Sequence, residues 1–82
     1  MKPKDVVVYL TGYCPYCHAA KNLLESKGVA YREVDVTDDD AMREKLVGMT
    51  GGRETVPQIF VDGISIGGYQ ELVEYCKKGK LK

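Results

Sequence analysis

The sequence carries no surplus charge of either sign: Lys+Arg and Asp+Glu both number 12 in 82 residues, for a formal net charge of zero. Without a bulk field the chain has no electrostatic reason to bind nucleic acid or an anionic membrane. Long apolar runs are also missing. The longest, Val6 to Leu10, is far short of the roughly 20 residues that cross a bilayer. No charged-then-apolar signal segment opens the chain, so the cytoplasm is the expected location. Cysteines are few and odd in number, three in all, whereas a secreted disulfide framework shows a larger, even set. Repeats, low-complexity tracts and Pro/Gly/Ser-rich linkers do not occur. Eighty-two residues are too few for two separately cored units, so residues 1–82 are expected to form a single domain and a monomer.

The composition that is present, 44% hydrophobic and 29% charged, is that of a globular protein that folds. Asp5 to Leu10 is short, apolar and rich in β-branched residues, which predicts a strand covered on both faces. Pro15 suits the first turn of a helix, and Ala20, Leu23, Leu24 and Lys27 recur at helical spacing until Gly28, predicting a helix from Pro15 to Lys27. Tyr31 to Val36 alternates as a strand does. Thr37, with Asp40 three residues on, has the form of a helix N-cap. Met42, Leu46 and Met49 then mark an apolar face that ends at Gly51-Gly52. Gln58 to Val61 and Ile64 to Ile66 flank Asp62-Gly63, a hairpin signal. After Gly67-Gly68, a last helix carries Leu72, Val73 and Cys76 on one face. The predicted order is βαβαββα. A βαβ opening implies a parallel pair with a right-handed crossover, and the hairpin adds antiparallel strands. The fold class is therefore α/β, a four-stranded mixed sheet flanked by three helices.

Cys14 and Cys17, in Cys14-Pro15-Tyr16-Cys17, are the candidate catalytic residues. Cys14 falls at or next to the N-cap of the first helix, where unpaired N–H groups and the positive end of the helix favour negative charge on sulfur. It is the expected nucleophile. Cys17 lies close to one turn later, within reach of the first sulfur and less exposed, as a resolving thiol requires. Pro15 stiffens the helix start and removes one N–H, which tunes the redox potential of the pair. A Cys-x-x-Cys beside His18 is also half of a zinc site, but a structural site needs four ligands. Cys76, on the face of Leu72 and Val73, reads more simply as a small buried hydrophobe. No metal is expected, and His18 reads as a surface residue.

Cys14-Pro15-Tyr16-Cys17, Thr55-Val56-Pro57 and Gly67-Gly68-Tyr69, in that order and spacing, resemble a dithiol glutaredoxin. The likeness covers essentially the whole chain. It implies a thioredoxin-like fold and glutathione as co-substrate, with no tightly bound cofactor. It further implies that Pro57 is cis, lies against the cysteines and turns the Val56 backbone toward a bound thiol. An extended peptide such as glutathione can pair with Thr55 and Val56 as a short added strand. Gly67 and Gly68 allow close approach, and N–H groups from about Tyr69 and Gln70 face a carboxylate, by resemblance that of the γ-glutamyl end. Tyr13, Tyr16 and Tyr69 group around this groove, while Tyr9, Tyr31 and Tyr75 read as packing residues.

The sequence departs from the family at two points. Many glutaredoxins carry a lysine shortly before the first active-site cysteine, where this chain reads Leu10-Thr11-Gly12-Tyr13. Arg53, with Arg43 behind it, is the candidate to hold the glycine carboxylate of glutathione instead. Gln70 stands where an acidic residue is common. The expected glutathione-binding set is thus Tyr16, Arg53, Thr55, Val56, Pro57, Gly68, Tyr69 and Gln70. The resemblance implies a glutathione-dependent thiol–disulfide oxidoreductase acting on glutathionylated or disulfide-containing proteins. Two alternatives stay open: a redoxin of the same fold served by thioredoxin reductase, and a scaffold for an iron–sulfur cluster ligated through Cys14 and glutathione. Pro15 speaks against the scaffold because it stiffens the loop beside the sulfur.

Overall fold

The computed structural model describes residues 4–80. Its elements are β1 (Val6–Leu10), α1 (Pro15–Ser26), β2 (Arg32–Asp35), α2 (Asp40–Met49), β3 (Gln58–Val61), β4 (Ile64–Gly67) and α3 (Tyr69–Lys77). The sheet order is β2-β1-β3-β4. Strand β1 runs parallel to β2 and antiparallel to β3, and β3 pairs antiparallel with β4. This is the mixed four-stranded sheet with three helices that the βαβαββα reading predicts, a thioredoxin-like fold.

Alternation along β1 fixes the layers. Val6, Val8 and Leu10 are buried with Ile59 and Val61 of β3 in one cluster, and α1 adds Cys17, Ala20 and Leu24 while α3 adds Leu72 and Cys76. Residues of the opposite parity face the other way, where the rings of Tyr9 and Phe60 meet edge-on at 5.3 Å. Leu46 of α2 is buried outside the main cluster. All four residues of β3 are buried, as its place between β1 and β4 requires. Asp62 and Gly63 turn the hairpin with φ of 52° and 82°, the left-handed values that a two-residue turn needs.

Several boundaries differ from the sequence reading. Helix α1 stops at Ser26, with Lys27 as its cap. Strand β2 is shorter than Tyr31 to Val36, although the Val36 N–H still donates to the Leu10 carbonyl at 2.9 Å. Strand β4 extends one residue, to Gly67. The cap of α2 is Asp39, whose carboxylate accepts from the Met42 N–H, and not Thr37. Thr37 is occupied elsewhere: its hydroxyl donates to Asp35 and accepts the Gly12 N–H at 3.0 Å. Of the expected α2 face only Leu46 is buried, and Met49 at the helix end is 38% exposed.

Candidate active site

Cys14 is the N-cap of α1 and Pro15 its first residue. The Cys14 sulfur accepts the Cys17 N–H at 3.2 Å, the contact expected of a group that caps an open helix start. On its other side it lies 3.6 Å from the Val56 carbonyl oxygen, to which its S–H donates. The Cys14 N–H bonds back to the Thr11 carbonyl at 3.4 Å, closing a tight turn between β1 and α1. All three cysteines are free thiols. Cys17 is buried, and its thiol is pushed up to about 12, chiefly by burial and then by its hydrogen bond with Cys14. The two sulfurs are thus sorted by environment: Cys14 is partly exposed and meets a donor, whereas Cys17 is shielded and held as a thiol.

The Val56–Pro57 peptide is cis. From the loop before β3 come Arg53, Thr55, Val56 and Pro57. The start of α3 supplies Gly68, Tyr69 and Gln70, and Tyr16 of α1 completes the wall of one open groove of about 310 Å3. The structure brings all eight expected residues together there. The rings of Tyr16 and Tyr69 lie 6.0 Å apart, and Tyr13 is exposed nearby in sequence. Tyr9 packs on Phe60, Tyr31 donates to Glu25 at 2.6 Å, and Tyr75 carries Lys4 and Lys80 over its ring. His18 is exposed, and among the described residues no three His, Cys, Asp or Glu side chains converge as a metal site would need.

Arg53 lines the groove and is tied to the start of α3. Its guanidinium is 2.9 Å from Glu71 and reaches the Gly67-Gly68 turn, the end of the groove assigned by resemblance to the γ-glutamyl carboxylate. Arg43 lines an adjoining hollow of about 370 Å3 that shares Arg53, Thr55 and Val56 with the groove. Thr11, at the position of the absent lysine, is only 1% exposed, and its hydroxyl has no partner among the described residues.

Two residues went unnoticed in the sequence. Glu71 accepts the Gly68 N–H at 2.7 Å, which holds its carboxyl below the usual carboxylate range, with Arg53 adding to the effect against burial. The Gly68-x-x-Glu71 spacing of a capping box was the signal available for it. Gln58 is fully buried and donates its side-chain amide to the Thr55 carbonyl at 2.8 Å. A polar residue opening an otherwise apolar strand was its only mark.

The Glutaredoxin family model matches residues 6–66. The chain belongs to the glutaredoxin family. It is 44% identical over 77 residues to Glutaredoxin 3 of Escherichia coli K12, covering 94% of this chain and 92% of that one. Glutaredoxin 1 of Rickettsia conorii is 43% identical over 77 residues, covering 93% and 76% respectively. A buckwheat glutaredoxin, solved as its glutathione complex, superposes with a TM-score of 0.86 at 33% identity, over 95% of this chain and 73% of the other. Membership makes the chain an enzyme, a glutathione-dependent thiol–disulfide oxidoreductase whose redox pair fits Cys14 and Cys17. No described helix is long and apolar enough to cross a membrane.

Proposed function

We propose that the enzyme binds glutathione in the groove beside Cys14 and uses it to reduce glutathione mixed disulfides and protein disulfides. The observation that carries this reading is the 3.6 Å approach of the Cys14 sulfur to the Val56 carbonyl at the edge of that groove. A cysteinyl sulfur bonded to Cys14 then has its own backbone beside that of Val56. Among the described residues the Val56 N–H has no hydrogen-bond partner, so it is available for such pairing. Tyr16, Pro57 and Tyr69 flank the peptide. Gly68, Tyr69 and Gln70 offer the start of α3 to a carboxylate, and Arg53 adds a cation there.

On a glutathionylated protein, Cys14 attacks the glutathionyl sulfur. A Cys14–glutathione disulfide forms, the protein–glutathione disulfide breaks, and the leaving protein thiolate takes up a proton. A second glutathione thiolate attacks the bound glutathionyl sulfur, releasing glutathione disulfide and Cys14. With a protein disulfide, Cys14 attacks one sulfur and forms a mixed disulfide, the substrate S–S bond breaks, and the other substrate sulfur leaves as a thiolate that takes up a proton. Cys17 then loses its proton and attacks the Cys14 sulfur, closing Cys14–Cys17 and expelling the second substrate thiol, and two glutathione molecules reduce that disulfide in turn and leave as glutathione disulfide. The groove and the family support a monomer acting in a reducing compartment, the cytoplasm, with glutathione and thiol proteins as its partners.

The test is turnover of a glutathionylated peptide with glutathione, coupled to glutathione reductase and NADPH. Saturable turnover that depends on Cys14 is the expected result. Turnover with thioredoxin reductase and none with glutathione would move the electron donor to the reductase and overturn the glutathione reading.

A further inference from the structure

Gln58 is the most deeply buried polar side chain of β3, with 0% exposure. Its backbone belongs to the sheet, paired opposite Tyr9 of β1. Its side chain points back along the chain: Nε2 donates to the Thr55 carbonyl at 2.8 Å and reaches the Thr55 hydroxyl at 3.4 Å. Thr55 itself is exposed. One amide therefore ties an exposed loop residue to the rigid centre of the sheet, and between tether and strand lie only Val56 and Pro57. The Gln58 amide oxygen has no partner among the described residues, so the link to Thr55 is the whole of its side-chain hydrogen bonding. Burying a polar amide that is only half satisfied carries a cost in stability. An apolar residue of similar length would avoid it.

We propose that Gln58 is a positioning residue for thiol-peptide recognition: its amide fixes Thr55 so that Val56 presents its backbone to the peptide of a glutathione disulfide. The inference rests on the glutathione reading above and adds to it the group that sets the geometry of the pairing segment. It predicts that Gln58 matters to the peptide and not to the sulfur. The reactive Cys14 thiolate has no proton to donate to the Val56 carbonyl, and the bonds it keeps, to the Cys17 N–H and back to the Thr11 carbonyl, include none to the Gln58 side chain.

Gln58→Met keeps length and apolar volume and removes both donors. Its KM for a glutathionylated peptide should rise about threefold to tenfold, the scale of one lost buried hydrogen bond, with kcat nearly unchanged. Alkylation of Cys14 by iodoacetamide at alkaline pH, where the thiolate reacts without the peptide groove or the Val56 carbonyl, should keep its wild-type rate. An unchanged KM, or an alkylation rate that falls together with turnover, overturns the assignment. Wild-type protein that fails to turn over the glutathionylated peptide sinks the glutathione reading itself, whereas wild-type turnover with an unchanged variant KM sinks only the role of Gln58. A readout on wild-type protein guards against a variant that does not fold. In NMR spectra the Gln58 side-chain amide protons should exchange slowly with solvent and shift on addition of S-methylglutathione, which cannot react. Fast exchange, or no shift at saturation, overturns the proposal.

Discussion

The Arg53 guanidinium and the Glu71 carboxylate meet at 2.9 Å across the start of α3, with the Gly68 N–H bonded to the same carboxylate oxygen. The cation expected to serve the glycine end of glutathione is thereby tied to the start of α3. Both side chains are more than two-fifths exposed, so the pair itself contributes at most about 1 kcal/mol to stability.

Arg53→Ala should therefore leave the thermal midpoint within a few degrees of wild type while raising KM for glutathione about threefold to tenfold, since a charge-assisted contact is lost from the groove. Added salt should weaken wild-type binding more than that of the variant. Steady-state kinetics at two ionic strengths give both numbers. A KM that does not move would remove Arg53 from the binding set.

Thr11→Lys should not restore the family's lysine in this chain. The position is 1% exposed and its hydroxyl already lacks a partner, so a lysine there must either bury its ammonium group or displace the turn that positions Cys14. A loss of about 2 kcal/mol or more is expected in denaturant titrations, with no gain in glutathione affinity.

The fold was legible because its signals were local. β-Branched runs, Pro15 before a helical repeat and Asp62-Gly63 each specify an element by themselves. Six of the eight groove residues were legible through the joint spacing of three motifs, each weak alone, while Arg53 and Gln70 were read from their places beside those motifs. What could not be read were choices between equivalent partners. Thr37 and Asp39 are both good caps, and Thr37 lost the position because its hydroxyl bridges Asp35 and the Gly12 N–H. Arg53 was read as a free cation for a carboxylate, and the capping glutamate of α3 that binds it lies 18 residues on, a partner no local spacing reveals. Gln58 acts through a contact three residues back that strand periodicity does not encode.

The two cysteines should separate cleanly. Cys14→Ser should lose about a thousandfold or more on every substrate, because the capping sulfur that faces the groove is gone. Cys17→Ser should keep turnover of glutathionylated peptide and lose reduction of protein disulfides. Activity retained in Cys14→Ser would overturn the assignment of the nucleophile.

Gly67 should tolerate no side chain. Its φ is 112°, and a Cβ there would stand 2.6 Å from Glu71 Cγ and 2.8 Å from the Arg53 guanidinium. Gly67→Ala should cost about 1–3 kcal/mol and raise KM for glutathione, because both the strain and the clash fall on the start of α3. Urea titration together with steady-state kinetics measures the two effects.

Stability should fall at alkaline pH in a way that depends on Cys17. Its thiol rises from 9.0 to about 12 on folding, first because it is buried and then because it bonds to Cys14. A raised value means that the folded state holds the proton more tightly than the unfolded chain does. The stabilisation is therefore complete below pH 9 and is lost progressively as pH climbs toward 12. By about pH 10.5 the loss should be on the order of 1–2 kcal/mol from this group. Cys76, raised by burial, and Tyr31, pushed up to about 12 by burial and its bond to Glu25, act in the same direction, so wild type alone does not isolate the effect. The difference between wild type and Cys17→Ala does. Denaturant titrations of the reduced proteins at pH 8 and 10.5 should show a smaller drop for the variant. Equal drops would mean that Cys17 is no harder to ionise in the folded chain than in the unfolded one, and the sorting of the two sulfurs by burial would fail with it.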